Sequence, residues 1–301
     1  MIIDAASVRK LPSITSRQMI SPIVSNDKKL TVLVTGANGG LARSVCNRLP
    51  KNIVAVGLVR QGTARQPSQQ LQVFDRIDAL LADIPHIDAV LHLAARIPSP
   101  HERATDLLAV NVDLVSTLIQ TLPSARHVLA SSASVYGSPD NSPLHINSLP
   151  NPVSAYGWSK LAAECLVRQC KNHAVIRYAS LIGRNGRPNT FVPSIVAAAR
   201  DGCITLYGDG RRQQNYVDLD DAADMCLRAL VSKTNFTTLG VSDRSYSNNE
   251  VAEILSGLTG AVIRHVGIDE SPSYTYDCTG AIALGPCLIP LKTTLEDLLS
   301  S

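Results

Sequence analysis

Lys29-Leu30-Thr31-Val32-Leu33-Val34 runs directly into Thr35-Gly36-Ala37-Asn38-Gly39-Gly40-Leu41-Ala42, and this stretch decides the fold. Its first half is short, apolar and β-branched, which reads as a buried strand. A helical pattern follows through Leu49. Glycines between a strand and a helix permit a tight turn and a close backbone approach. The first helical turn then offers free N–H groups and a positive dipole. That is the context a dinucleotide-binding loop requires, and Gly36, Asn38, Gly39, Gly40 and Leu41 are its candidate contacts. The plainer reading is a glycine-rich turn joining two elements.

Outward from this unit, strands and helices alternate. Ile53 to Val59 is a second strand ending at Arg60, where an acidic side chain would accept the ribose hydroxyls of NAD. Arg60, with Arg65 nearby, instead favours a 2′-phosphate, so NADP is expected over NAD. The rival is a solvated loop arginine. Gln72 to Phe74 is a short strand closing on Asp75, a candidate partner for adenine. Asp88 to Ala95 is another buried strand; Ala94 and Ala95, after Leu93, are small enough for a cofactor to lie against the backbone. His92 within it reads as a packed core histidine. Leu107 to Leu122 is helical with Asn111 inside, and Arg126 to Ala130 is a fifth strand leading into Ser131-Ser132-Ala133-Ser134. Residues 138 to 153 form a loop of the kind that borders sites. A helix to about Lys171 and a sixth strand, Ala174 to Arg177, complete the pattern. The expected fold is α/β, a doubly wound parallel sheet.

The helix before that sixth strand carries Tyr156-Gly157-Trp158-Ser159-Lys160. Tyr156 and Lys160 are four residues apart, hence on one helix face. An ammonium beside a phenol favours phenolate and lowers its pKa, giving a group that can exchange a proton with an alcohol. Alone, the spacing is equally that of a solvated helix surface.

Beyond Leu181 a helix over 191–201, a strand at Ile204 to Tyr207, a Gly208-Asp209-Gly210 turn, a strand at Tyr216 to Leu219, a helix to Leu230 and one near Asn249 to Leu258 suggest a C-terminal lobe. The expected division is an extension (1–29), a dinucleotide-binding domain (30–180) and a substrate lobe (181–301) interleaved with the sheet.

A charged content of 18% and a net charge of +3 argue against nucleic acid or an anionic membrane as partner. No apolar run approaches the ~18 residues of a transmembrane helix. The seven scattered cysteines lack metal-ligand spacing, suggesting reduced thiols, a cytoplasmic setting and no metal. The first 29 residues lack the apolar core of a secretory signal; their Ser, Thr, Arg and Lys content, with only Asp4 and Asp27, has something of a transit peptide, but the favoured reading is an extension that is flexible or packs on the domain surface.

In order along the chain, TGANGGLA, HLAA, Asn111, SSASVYG, YGWSK, RYASLIG and GDGRRQQNYVDLDDAA resemble the extended short-chain dehydrogenase/reductase family, particularly its nucleotide-sugar epimerases and reductases. The resemblance covers roughly residues 30 to 300. It implies that Ser132 hydrogen-bonds the reacting oxygen, that Tyr156 is the acid/base, and that Lys160 lowers its pKa and holds the nicotinamide ribose. Ser131 and Ser134 then read as structural hydroxyls. It places Asn111 at the cofactor and Ser180, Asn189, Tyr207, Arg212 and Gln214 at the substrate. It also implies a homodimer built on the helix after Asp106 and the Tyr156 helix. There are departures. Ala42 replaces a glycine, and Ala133-Ser134 replaces the acidic pair of dehydratases, which disfavours 4,6-dehydration. Gln214 replaces a diphosphate-binding arginine, a second arginine near 272–277 is absent, and Ser180 replaces an asparagine. The leading expectation is an NAD(P)-dependent epimerase or reductase at C4 of a nucleotide-activated sugar. The alternatives are a reductase of a non-nucleotide carbonyl, and a non-enzymatic cofactor sensor on the same fold.

Overall fold

The computed structural model describes residues 29–63, 71–97, 103–138, 143–278 and 284–301; the N-terminal extension to residue 28 and Arg65 lie outside the described residues. β1 (Leu30–Thr35) leads through the glycine loop into α1 (Gly40–Asn47), followed by β2 (Ile53–Leu58), β3 (Gln72–Phe74), α2 (Ile77–Asp83) and β4 (Ala89–His92). α3 (Ala104–Leu108) passes through a π turn at Ala109–Asp113 into α4 (Leu114–Thr121), so the helix around Asn111 begins earlier than expected and is not regular. β5 (Arg126–Ser132) ends in a 3₁₀ turn, and α5 (Ala155–Val167) and β6 (His173–Tyr178) follow. α5 stops short of Lys171. The remainder is β7 (Ser180–Ile182), α6 (Phe191–Arg200), β8 (Cys203–Tyr207), β9 (Gln213–Asp218), α7 (Leu219–Val231), β10 (Phe236–Gly240), β11 (Ser245–Ser247), α8 (Asn248–Thr259), β12 (Val262–Val266) and α9 (Leu291–Leu299).

Seven strands pair in the order β3-β2-β1-β4-β5-β6-β10, all parallel. Because side chains alternate along a strand, β1 feeds both faces. Val32 and Val34 pack with Ala42 and Val45 of α1 and with α7, while Leu33 packs with Leu80 of α2 and Leu118 of α4. α1 and α7 are also tied by charge: Arg48 grips Asp224 through two contacts of 2.6 Å. Val115 of α4 and Ala163 and Val167 of α5 cover Leu129 and Val175. β10 was not anticipated, and it extends the large sheet beyond β6 although it lies late in the chain. A second core joins Val192 and Ile195 of α6, Ile204 and Leu206 of β8, Val251 and Leu255 of α8, and Leu295 of α9.

The strand order reverses direction between β1 and β4. At such a switch point the loops after adjacent strands diverge and leave a crevice. Thr35, 1% exposed at the end of β1, fixes that crevice: its hydroxyl donates to Leu91 O at 3.4 Å and accepts from the Leu93 and Ala94 N–H groups, each at 3.0 Å.

Candidate active site

The glycine loop enters the crevice at Gly36, whose φ is +66°. A Cβ there would lie 2.8 Å from Ala94 Cα and 2.9 Å from Ala94 N, so only glycine lets the loop sit this close to the end of β4. Gly39 caps α1 with no side-chain hydrogen bond, which leaves backbone donors at the helix start directed outward. A cavity of about 960 Å³ runs from this loop past Arg60, Asp75 and Leu93 to Arg96, and includes Asn38. A second, of about 400 Å³, shares Gly36, Gly39, Leu93 and Ala95 with it and continues past Leu41 to Ser132, Tyr156, Lys160, Ser180 and Gln214. Together they form one elongated trough. Its shape and the glycine cradle suit a dinucleotide lying across the switch point, with one end at Arg60 and Asp75 and the other at Tyr156.

Asn111 stands behind this wall rather than on its surface. It is 2% exposed; its amide accepts from Arg96 N at 2.8 Å and donates to Arg96 O and Ser159 Oγ, each at 2.9 Å. The π turn around it reorients the amide so that one side chain clamps the post-β4 loop and α5 together.

α5 presents the central pair. Ser154 caps it, accepting from Gly157 N at 3.1 Å, and Ser159 Oγ donates to Tyr156 O at 2.8 Å. Gly157 is where α5 touches the turn after β5: a Cβ would meet Ser134 O at 2.5 Å. That contact sets Tyr156 against Ser132, whose side chain acts on the phenol as a hydrogen-bonding neighbour that lowers its pKa. Burial pushes the Tyr156 phenol above its usual value, and the Ser132 bond and the nearby Arg187 charge oppose that rise. Lys160 is itself 2% exposed, and burial, opposed by Glu164, lowers its ammonium to about 8. Inside the protein desolvation outweighs attraction for both groups.

Beyond Tyr156, Gln214 Nε2 and the Tyr216 hydroxyl are buried without a protein partner, and both residues line the same cavity. Ser180 lines it too. Tyr207, 66% exposed, and Arg212 lie instead in a separate depression that meets the cavity at Phe191, and Arg212 Nε donates to Pro272 O at 3.2 Å. Asn189 is exposed and borders neither. The sequence reading missed Arg187 and Arg43. Arg43 links the glycine loop to the loop after β7, donating to Asn38 O at 3.3 Å and to Asn185 Oδ1 at 3.2 Å. Neither arginine carries a periodic or motif signal. His92 is a core residue as expected, 1% exposed and 3.0 Å from His127. Among the described residues there is no metal-ligand cluster and no helix long and apolar enough to cross a membrane.

Residues 32–239 match the model of the NAD dependent epimerase/dehydratase family. The UDP-glucose 4-epimerase of Lactobacillus helveticus is 29% identical over 206 residues, which span 58% of this chain and 62% of that protein, less than two thirds of its length. The UDP-glucose 4-epimerase of Bacillus subtilis is 23% identical over 300 residues, covering 83% of this chain and 88% of that protein. MoeE5, solved with UDP-glucose and NAD, superposes with a TM-score of 0.76 at 25% identity, covering 90% of this chain and 97% of that one. The UDP-glucose 4-epimerase of Thermotoga maritima, solved with UDP-glucose, shares the fold with a TM-score of 0.78 at 20% identity over 90% of this chain and 98% of that one. The match spans well over half the chain, and the fold is shared with solved members: this chain belongs to the NAD dependent epimerase/dehydratase family, within the extended short-chain dehydrogenases/reductases.

Proposed function

We propose that this protein moves hydride at C4 of a nucleotide-activated sugar, as an epimerase or as a reductase of the 4-keto sugar. The observation that carries this reading is the single trough that opens on the glycine loop at one end and on Ser132, Tyr156 and Lys160 at the other. When bound, the nicotinamide supplies the hydride acceptor and donor. Tyr156 passes the proton at the sugar oxygen, and Ser132 holds that oxygen by a hydrogen bond. With its phenol raised by burial, Tyr156 rests protonated, the form that reduction needs. Lys160 orients the ribose, its ammonium lowered by burial to about 8. The unpartnered Gln214 and Tyr216 side chains face the substrate as uncharged donors.

Arg60, exposed at the rim of the trough beside Asp75, favours NADP, whereas MoeE5 was solved with NAD. A homodimer through α4 and α5 belongs to the same reading: Leu118 is committed to the core, while Leu114, Leu161 and Leu166 stay half-buried. So does the cytoplasm, since all seven cysteines are free thiols. The test is thermal shift with NAD, NADP, UDP, dTDP and GDP, since a ligand at 100 times its Kd stabilises by about 2.7 kcal/mol. The reading expects a shift with one dinucleotide and one nucleoside diphosphate. A dinucleotide shift with no diphosphate response would replace it with reduction of a non-nucleotide carbonyl.

A further inference from the structure

The substrate end of the cavity has an uneven charge. Among the described residues lining it there is no aspartate or glutamate, and its cations are Lys160 and Arg187. Lys160 is buried beneath Tyr156 and faces the cofactor end in the reading above. Arg187 is different. It is exposed at the mouth, its charge reaches the Tyr156 phenol, and it forms no ion pair with a described carboxylate. Its neighbour Arg184 is already engaged, holding Asp297 through contacts of 2.7 Å.

A guanidinium at such a mouth is screened while water surrounds it, and it gains strength when a ligand covers it. It pairs best with a planar oxyanion, which can accept two parallel N–H bonds. In a pyranose held for reaction at C4, the phosphate on C1 lies across the ring, and the substituent on C5 lies beside the reacting carbon. A cation close to the acid/base group therefore faces one of the two neighbours of C4, the C3 hydroxyl or the C5 substituent, and of these only the C5 substituent can be a carboxylate.

We infer that Arg187 binds a carboxylate carried on C5 of the sugar, so that the substrate is an acidic nucleotide sugar. This rests on the C4 reading proposed above. It also accounts for a cavity that holds no carboxylate of its own, since one would repel such a substrate.

The test compares UDP-glucuronic acid with UDP-glucose on the full chain supplied with NAD or NADP, using wild type, Arg187→Met and Arg187→Lys. Wild type is expected to favour UDP-glucuronic acid by at least ~10-fold in kcat/KM, as for a charge-assisted contact. Arg187→Met should lose that preference, mainly through KM for UDP-glucuronic acid, and leave the thermal shift with UDP unchanged, while Arg187→Lys recovers part of the loss. An equal loss on both sugars, or a weakened UDP shift, would make Arg187 a phosphate contact and overturn the inference, as would a wild type that prefers UDP-glucose. Absence of a shift with UDP, dTDP and GDP alike, and of turnover of their sugars, would sink the nucleotide-sugar reading itself, and this inference with it.

Discussion

Glu164 and Arg177 face each other in the interior, with Arg177 Nη2 donating to Glu164 Oε2 at 2.8 Å and Nε to Oε1 at 3.0 Å, both residues being buried. The pair sits one helical turn below Lys160 and gathers three elements. Ser131 Oγ, beside Ser132 on β5, donates to Glu164 Oε1 at 2.6 Å, and Arg177 Nη1 donates to the Tyr136 hydroxyl at 2.8 Å. Arg168, which caps the C-terminus of α5, completes the set by pairing with Glu164.

Breaking such a pair leaves an uncompensated buried charge, which costs more than the intact pair contributes. Glu164→Ala should therefore destabilise the protein by about 3–5 kcal/mol in denaturant unfolding. A loss below about 1 kcal/mol would mean that Arg177 finds another partner or water.

Gly157→Ala tests how α5 is seated. The added methyl would meet Ser134 O at 2.5 Å, so the helix must back away from the turn after β5. The expected outcome is a folded protein whose turnover drops at least ~10²-fold, because small displacements of reacting groups are costly. Unchanged turnover with a lowered Tm would show that the contact serves packing only.

Lys160 gives a pH signature. Its folded pKa is lowered to about 8, so below that pH the lysine is charged in both states and the folded protein bears the cost of burying it. Above 8 the folded state sheds the proton while the unfolded chain keeps it up to the usual lysine pKa of about 10.4, so this contribution to stability rises with pH across that window. Lys160→Met should thus be more stable than the cofactor-free wild type at neutral pH, with the gap closing from pH 8 upward. A gap independent of pH would contradict a buried, titrating lysine.

The first half of the chain was legible because its signals are local. β1, the glycine loop, α1 and β6 are strong apolar runs or turn motifs, and the Tyr156 helix has an ordinary serine cap. What escaped the sequence is what tertiary contacts decide. β10, Phe236-Thr-Thr-Leu-Gly240, is short and half polar, and only pairing with β6 makes it a strand. β12 owes its existence to β8 in the same way. The π turn at Asn111 cannot be seen in a 3.6-residue pattern. Loop side chains carry no periodicity, so the reading set Asn189 at a site it does not border and passed over Arg187, two residues earlier in the same loop.

The most direct measurement is conversion of UDP-sugars by wild type and Tyr156→Phe, following both the sugar's C4 configuration and the nicotinamide absorbance. The account expects cofactor-dependent conversion by wild type: interconversion of epimers without net cofactor change for an epimerase, or cofactor consumption matched to product for a reductase. In Tyr156→Phe it expects the rate to fall by about 10²–10⁴-fold with cofactor binding retained. A Tyr156→Phe variant working at the wild-type rate would contradict the account.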